Sequence, residues 1–136
     1  MNFVEMKELE TPRLNLRRIR FEDLYDYYER LGSDGEVTRY LNFEPHQDIG
    51  ETIASIEKTL ARYEEGKCYR WAIALKEDDS LIGVFELLRF DEEEESCSFA
   101  YMLAKSWWNQ GYATEAMKEI FRFATEELGV KKIAAD

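Results

Sequence analysis

The sequence predicts an α/β domain with a mixed, mostly antiparallel sheet and flanking helices. Three consecutive strand-like runs, Tyr69–Leu75, residues 81–90 and Ser96–Leu103, are separated only by short polar turns, which is typical of an antiparallel meander. An amphipathic helix beginning near Tyr112 follows, and residues 130–135 then form another strand-like run. A strand, a helix and a strand in this order normally form a parallel pair, so the predicted sheet is mixed.

One strand and two helices precede the meander. Residues 14–19 carry spaced leucine and isoleucine residues and predict the first strand, and residues 21–31 then place apolar side chains at helical spacing. The glycine and polar residues at 32–35 end this first helix. A second helix is predicted for residues 49–64, because its isoleucine and leucine residues fall on one face, and Gly66 ends it.

Length and composition fit a single domain that spans residues 1–136 and builds its own core, since 45% of the residues are hydrophobic. The 29 acidic and 18 basic residues give a net charge of -11. This balance argues against nucleic acid as a partner, because binding to phosphate backbones depends on Lys and Arg. The acidity would suit a basic substrate, although solubility alone explains it more simply.

The sequence contains no membrane segment and no metal or redox motif. Its first ten residues lack the basic start and apolar run of a signal peptide, and no apolar stretch approaches the length of a membrane helix. We therefore expect a cytoplasmic protein without membrane contact. Cys68 and Cys97 are isolated from each other, so we expect reduced thiols in the core and no bound metal.

The stretch 107–116, WWNQGYATEA, is the most informative part of the sequence. It places a glycine turn at the start of an amphipathic helix, directly after a strand. The first N–H groups of such a helix have no carbonyl partner within it, and they carry the positive end of the helix dipole. A phosphate group fits this arrangement, and the small residues Gly111 and Ala113 would let it approach the backbone. Turn chemistry alone is the alternative explanation of the glycine.

The segment Trp108-Asn109-Gln110-Gly111-Tyr112-Ala113 resembles the pyrophosphate loop of the GNAT superfamily of N-acetyltransferases, whose pattern is Gln/Arg-x-x-Gly-x-Gly/Ala. The Trp at the first position and the continuation Thr114-Glu115-Ala116 are similar to the Rim-type branch, the ribosomal-protein alanine N-acetyltransferases. Further similarity occurs at 11–14, 36–41, 69–73, 81–83 and 126–129. The resemblance implies the GNAT fold, acetyl-CoA as the acetyl donor, and a cofactor-binding loop made of Trp108, Asn109, Gln110, Gly111, Tyr112, Ala113 and Thr114.

The resemblance also implies where the rest of acetyl-CoA binds. In the family, the strand that corresponds to residues 97–103 diverges from the next strand, and the pantetheine arm lies in the resulting wedge. The backbone of Tyr101, Met102 and Leu103 is therefore expected to bind this arm. One of their N–H groups would polarise the thioester carbonyl and form an oxyanion hole.

Amide formation needs a neutral amine, so a base must take a proton from an ammonium acceptor. Many relatives have Glu on this strand at the position of Ser98. The candidate catalytic residues are therefore Ser98 and Glu86, and we expect Glu86 to act as the base. The hairpin centred near Glu93 would place Glu86 close to Ala100 and within diagonal reach of Ser98. The alternative is that Glu86 faces water at a sheet edge. Glu115, in the first turn of its helix, is better explained as a cap.

The acceptor site is expected in the loop 37–46, where relatives build the wall that contacts the incoming amine. The candidate substrate-binding residues are Arg39, Tyr40 and Phe43 of this loop, together with Trp71. His46 is the single histidine of the chain. A histidine after a proline in a loop is more often a solvated turn residue than a catalyst, so we assign it no role in the reaction.

The chain ends at Asp136, within the opening of the last predicted strand, whereas GNAT relatives continue for a further helix and two strands. We therefore expect a domain that is truncated at its C-terminus. An unfinished sheet presents unpaired backbone groups along its edge, and a second protomer would complete it, so we expect a homodimer.

The predicted function is transfer of an acetyl group from acetyl-CoA to a primary amine by direct attack. The expected acceptor is a protein N-terminal amine, as in the Rim-type branch. Two alternatives remain open. The chain is a catalytically impaired acyl-CoA-binding or interaction domain, or it is a small-molecule N-acetyltransferase that acts on a polyamine or an antibiotic.

Overall fold

The computed structural model describes residues 1–39 and 44–136. This part of the chain contains one sheet of six strands in the order β1 to β6. The strands are β1 (Leu9–Glu10), β2 (Leu14–Arg17), β3 (Tyr69–Leu75), β4 (Leu81–Asp91), β5 (Ser96–Leu103) and β6 (Lys132–Ala135). The helices are α1 (Leu24–Tyr27), α2 (Gly35–Thr38), α3 (Ile49–Glu65) and α4 (Tyr112–Glu126).

The sheet is antiparallel from β1 to β5 and parallel between β5 and β6. The predicted α/β class with a mixed, mostly antiparallel sheet is therefore confirmed. The meander of β3, β4 and β5 and the parallel strand after α4 both form as the sequence predicts. Within the β4–β5 pair, Glu86 lies opposite Ala100, so the predicted register of this hairpin is correct.

The two long helices cover opposite faces of the sheet. Successive strand residues point to opposite faces, and two neighbours in β4 illustrate this. Phe85 packs against Phe121 of α4, with ring centroids 6.3 Å apart. The next residue, Glu86, contacts Arg62 of α3 instead, at 3.0 Å. Apolar side chains from both helices and from the central strands form one continuous core cluster.

The ends of α3 and α4 follow from their boundary residues. At the start of α3, the Asp48 carboxylate accepts a hydrogen bond from the N–H of Glu51 at 3.2 Å. The helix ends at Gly66, which has a left-handed φ of 95°. Helix α4 begins at Tyr112, after Gly111, which is also left-handed with a φ of 83°. The predicted end of the second helix and the predicted start of the last helix agree with these positions within one residue.

The first helical segment is less regular than the sequence predicts. In place of one helix, the chain forms a 3-10 turn at Phe21–Asp23, then α1, and then a π-helical turn at Tyr28–Gly32. The buried Asp23 explains the tight start, because its carboxylate accepts from the N–H of Arg20 at 2.7 Å and from Arg17 Nη2 at 2.8 Å. Apolar spacing within residues 21–31 does not predict this turn, because Arg17, one of the two partners of Asp23, lies outside that segment in β2.

Strand β1 is missing from the sequence-based prediction, in which the sheet begins at β2. A strand of two residues is too short to show the alternation that marks longer strands. It is defined only by its pairing, in which Leu9 lies opposite Leu16 and Glu10 lies opposite Asn15. This pairing folds the N-terminal segment back along β2.

Candidate active site

A cleft of about 610 Å³ opens between β5, α2 and the start of α4. Its volume lies within the range of roughly 300–1,000 Å³ that is usual for small-molecule sites. The cleft brings together most of the residues predicted to bind the cofactor. It is lined by Glu36 and Val37, residues 99–103, residues 107–109, residues 111–114, and Ala135 and Asp136.

The loop before α4 contains the glycine turn that the sequence predicts. Gly111 has a φ of 83°, and its carbonyl accepts the first helical hydrogen bond from the N–H of Glu115 at 3.0 Å. The N–H groups of Tyr112, Ala113 and Thr114 precede that bond and have no carbonyl partner within α4. All three residues line the cleft. The start of α4 therefore favours an anion in the cleft.

Side-chain contacts hold the rest of this loop in place. The indole N–H of Trp108 donates to the Leu103 carbonyl at 2.6 Å and joins the loop to β5. The Gln110 amide donates to the Ser106 carbonyl at 2.9 Å, and Asn109 adopts a left-handed φ of 60°. Of the predicted loop residues, all of which the structure describes, only Gln110 lies outside the cleft lining.

The backbone groups of β5 point alternately to β4 and to the cleft. The N–H of Ala104 donates to the Ile82 carbonyl at 2.7 Å, on the β4 side. The Phe99 carbonyl accepts from the N–H of Asp136 at 2.9 Å, on the opposite edge. Alternate residues of an antiparallel strand direct both backbone groups to the same edge. Odd-numbered residues of β5 therefore face the edge that borders β6 and the cleft.

This alternation divides the three β5 residues that were predicted to bind the pantetheine arm. Tyr101 and Leu103 direct their N–H groups toward the cleft, beyond Phe99, where the pairing with β6 ends. Met102 lies opposite Val84 and directs its backbone groups to β4. The prediction of a backbone contact from Met102 is therefore wrong, although the residue lines the cleft.

Glu86 forms ion pairs with two arginines. Its carboxylate oxygens lie 3.0 Å from Arg62 Nη2 and 3.7 Å from Arg70 Nη1, and its side chain is 16% exposed. Ala100, opposite Glu86, lines the cleft, whereas Glu86 and Ser98 are not part of the lining. The arrangement matches neither a base at the cleft nor a residue that faces water at an edge. It favours a structural ion pair that joins α3 to the sheet.

The two predicted acceptor residues that the structure describes, Arg39 and Trp71, do not line the cleft. Arg39 is exposed directly after α2 and is not part of the lining, and Tyr40 and Phe43 lie outside the described residues. Trp71 is fully buried, and its indole N–H donates to the Lys7 carbonyl at 2.8 Å. Trp71 is therefore a core residue, and its predicted contact with the acceptor is wrong.

Glu36 is a cleft residue that the sequence reasoning missed. It lines the cleft from α2 beside Val37. Its carboxylate lies 2.8 Å from Lys105 Nζ, and both side chains are more than half exposed, at 58% and 54%. The available signal was the position of Glu36 at the start of the family-like segment 36–41, next to the expected acceptor loop.

Glu115 joins α4 to the N-terminal strands and does not cap the helix. Its carboxylate accepts from Thr11 Oγ1 at 2.5 Å, from the N–H of Arg13 at 2.9 Å and from Arg13 Nε at 2.8 Å. Burial opposes its ionisation, but the hydrogen bonds from Thr11 and Arg13 outweigh burial and lower the pKa of Glu115. The helix dipole explains why a carboxylate is favourable here, but it does not predict these partners.

His46 packs against the backbone and is not a solvated turn residue. The backbone N–H of His46 donates to the Gly32 carbonyl at 2.7 Å, and the ring Nδ1 lies 2.6 Å from Thr52 Oγ1. Burial lowers the pKa of His46. The residue is not part of the cleft lining, so the geometry gives it no contact with a substrate there.

The two cysteines of the chain lie in the core. Cys68 and Cys97 are free and buried, and burial raises the pKa of Cys97 to about 11. Within residues 1–39 and 44–136, no group of three His, Cys, Asp or Glu residues is arranged to hold a metal ion. None of the helices described there combines the length and the apolar character needed to cross a membrane.

Similarity to a known family extends along almost the whole chain. The family model described as the acetyltransferase (GNAT) domain matches residues 13–136. The chain belongs to the GNAT acetyltransferase family. Among its relatives is an uncharacterized N-acetyltransferase, p20 of Bacillus licheniformis, which is 32% identical over 130 residues, or 96% of this chain and 72% of the relative. This GNAT protein is therefore an N-acetyltransferase.

Solved structures share the GNAT fold of this chain. A protein proposed to be a ribosomal-protein-serine acetyltransferase from Vibrio cholerae has a TM-score of 0.82 at 18% identity, over 96% of this chain and 73% of that one. Spermidine N-acetyltransferase from Vibrio cholerae, in complex with CoA and spermine, has a TM-score of 0.71 at 21% identity, over 88% and 68%. At these identities the similarity establishes the fold alone.

Proposed function

We propose that this acetyltransferase transfers the acetyl group of acetyl-CoA to a protein N-terminal amine by direct attack. The C–N bond forms, the thioester C–S bond breaks, and CoA leaves as its thiol while the amine loses a proton. The observation that carries the donor assignment is the start of α4. Gly111 is left-handed there, and the N–H groups of Tyr112, Ala113 and Thr114 open on the cleft. A pyrophosphate in this position meets backbone donors and the positive end of the helix dipole together.

The donor would bind along two elements. The pyrophosphate occupies the loop that ends at Gly111, and the pantetheine arm extends along β5, where Tyr101 and Leu103 direct N–H groups into the cleft. Because the Leu103 carbonyl already accepts from Trp108, the Tyr101 carbonyl is the better acceptor for an amide of the arm. An N–H group on this edge would stabilise the negative charge that develops on the thioester oxygen during attack.

A cationic amine suits the acceptor side of the cleft. Glu36 lines the cleft from α2, and its ion pair with Lys105 is exposed, so water weakens the attraction between the two. A carboxylate at this position would attract an ammonium group before that group loses its proton. The net charge of -11 also attracts a cationic amine to the protein.

Two amine classes are supported to different degrees. The Rim-like features of the loop, Trp108 and the continuation Thr114-Glu115-Ala116, favour a protein N-terminus. The fold similarity to the proposed ribosomal-protein-serine acetyltransferase is compatible with that choice. A polyamine is the second candidate, supported by the acidic Glu36 and by the similarity to spermidine N-acetyltransferase.

Gly111→Asp tests the donor site. The substitution adds bulk and negative charge beside the pyrophosphate, so we expect the Kd for acetyl-CoA to rise more than about tenfold, or roughly 1.4 kcal/mol. Isothermal titration calorimetry measures this change. Gly66→Asp is the matched control, because Gly66 is also left-handed but lies at the end of α3 with no atom within 4 Å of an added Cβ. Equal affinity of wild type and Gly111→Asp would remove the loop from the donor site.

A panel of amines tests the acceptor. Turnover of acetyl-CoA is measured with peptides that begin with Ala or Ser, with the same peptides blocked at their N-termini, with spermidine and with an aminoglycoside antibiotic. Turnover that requires a free peptide N-terminus supports the proposal. Turnover with spermidine or the antibiotic alone indicates a small-molecule acetyltransferase. Binding of acetyl-CoA without turnover of any amine indicates a catalytically impaired acyl-CoA-binding domain.

The homodimer and the cytoplasmic location remain predictions from the sequence. The homodimer expected from the sequence corresponds to twice the 16.1 kDa mass of the chain. Light scattering coupled to size exclusion measures this mass, and a monomer over a wide concentration range would contradict it. The cytoplasmic location is expected from composition and is tested by fractionation of the source cells.

A further inference from the structure

A cluster of contacts ties the first turn of α4 to the N-terminal strands. The Glu115 carboxylate accepts from Thr11 Oγ1 at 2.5 Å and from the backbone and side chain of Arg13 at 2.9 and 2.8 Å. Thr11 Oγ1 also accepts from the N–H of Leu14 at 3.1 Å, which fixes the turn between β1 and β2. The first turn of the helix is thereby joined to an element remote in sequence.

Arg13 extends from this cluster to both residues that flank Gly111. Its Nη2 donates to the Gln110 carbonyl at 3.1 Å. Its guanidinium carbon lies 3.9 Å from the centre of the Tyr112 ring, within the distance of a cation–π contact. A Cβ on Gly111 would lie 3.4 Å from Arg13 Nη2. One side chain therefore contacts the loop before the glycine and the helix after it.

We infer that Arg13 is a positioning residue for the phosphate cradle of α4, an inference that rests on the proposed use of acetyl-CoA. Through Gln110, Tyr112 and Glu115 it holds the left-handed turn at Gly111 and keeps the first N–H groups of the helix directed at the cleft. Arg13 is not part of the cleft lining, and its Nε and Nη2 already donate to Glu115 and Gln110. It therefore acts through the loop and not as a direct phosphate ligand.

Loss of the Arg13 contacts is expected to change the free energy of CoA binding more than the free energy of unfolding. The Arg13 side chain is 43% exposed, and exposed ion pairs contribute little to the stability of a fold. A loop that is already in its bound conformation loses less conformational entropy when the ligand binds. Loss of the Arg13 contacts should therefore weaken CoA binding in a variant that still folds.

The test compares Arg13→Ala, Arg13→Lys, Glu115→Gln and the double variant Arg13→Ala/Glu115→Gln. CoA affinity is measured by calorimetry, and affinity for pantetheine, which lacks the pyrophosphate, is measured by NMR titration. We expect Arg13→Ala to weaken CoA binding about tenfold and to leave pantetheine binding unchanged. Lys should not restore affinity, because it lacks the second nitrogen needed to bridge Glu115 and Gln110. The double variant should lose little more than Arg13→Ala, because both residues act in one unit.

Arg122→Ala is the matched control. Arg122 lies on the same helix, pairs with Glu119 and Glu126 at 2.7 and 2.8 Å, and is 40% exposed, close to the exposure of Arg13. The Arg122→Ala variant should bind CoA with the affinity of the wild type. Unchanged CoA affinity in both Arg13→Ala and Glu115→Gln would overturn the inference. Full rescue by Lys would also overturn it and indicate a direct charge contact with phosphate. Losses that add in the double variant would overturn it too, because they would show that Arg13 and Glu115 act independently.

Amide hydrogen exchange provides a measurement that needs no ligand. In the ligand-free protein, residues 110–114 should exchange faster in Arg13→Ala and in Glu115→Gln than in the wild type, and Arg122→Ala should leave them unchanged. Equal exchange in all variants would refute the positioning role. A wild type that binds no CoA would refute the proposed function instead, while the exchange result would still decide whether Arg13 holds the loop.

Discussion

Gly83→Ala is the substitution whose effect the structure defines most directly. Gly83 of β4 lies opposite Leu103 of β5, and Leu103 lines the cleft. A Cβ at this position would lie 2.5 Å from the carbonyl oxygen of Met102, 3.1 Å from Ile73 Cδ1 and 3.2 Å from Leu103 Cδ1. The side chains of Ile73 and Leu103 can rotate away from an added Cβ, but the Met102 carbonyl oxygen can move only with the backbone of β5. The substitution must therefore push β5 away from β4 at the residues that line the cleft.

The magnitude follows from the cost of overpacking a core. Forcing extra atoms into a packed interior costs about 1–3 kcal/mol, and each kcal/mol lowers the melting temperature of a small domain by roughly 2–8 °C. We expect Gly83→Ala to melt about 5–15 °C below the wild type. Because β5 also carries the N–H groups of Tyr101 and Leu103 toward the cleft, CoA should bind more weakly as well.

Thermal unfolding and calorimetric titration of CoA test this prediction together. Gly35→Ala is the matched control, since the nearest atom to its added Cβ is Pro45 Cγ at an ordinary 3.7 Å. The control should change stability by no more than about 1 kcal/mol. A Gly83→Ala variant that melts with the wild type would show that β4 and β5 can separate without cost, and the steric reasoning would then fail.

Two further predictions concern the partly buried Glu86 and the buried cysteines. Glu86→Gln should lower the free energy of unfolding by about 1–3 kcal/mol, because Arg62 and Arg70 lose their counterion, while turnover measured below the melting transition stays within about tenfold of the wild type. A hundredfold loss of turnover at unchanged stability would instead identify Glu86 as the base. Cys68 and Cys97 should resist a thiol reagent at about pH 8 in the native protein, since both are buried and the pKa of Cys97 is raised to about 11, and both should react in denaturant. Rapid labelling of the native protein would contradict the buried placement.

The elements that the sequence predicts correctly are those with a local signal. Apolar residues recur every three or four positions in α3 and α4, and alternation with short polar turns marks β3, β4 and β5. Gly66 and Gly111 occupy left-handed positions that glycine adopts without strain. The cradle at Gly111 was predictable for this reason, because the turn and the free N–H groups depend on neighbouring residues.

The errors, and the still untested prediction for Glu86, concern residues whose surroundings come from distant parts of the chain. Trp71 was expected at the acceptor site, but its face of β3 packs under α4, where its ring lies 5.7 Å from that of Phe123. Glu86 was placed in the correct register, yet Arg62 of α3 makes it an ion-pair partner. Met102 directs its backbone groups to the sheet edge opposite to the one that Tyr101 and Leu103 face. Spacing within one strand does not contain this information.

The sequence by itself determined the α/β class, the meander, the parallel strand after α4 and the glycine turn at Gly111. Only the tertiary structure decided that Glu115 meets Thr11 and Arg13, and that Glu36 lines the cleft. The physical reason is the range over which each feature is encoded. Periodicity and turn conformation depend on residues a few positions apart, whereas an ion pair or a cleft wall forms only after packing has brought separate elements together.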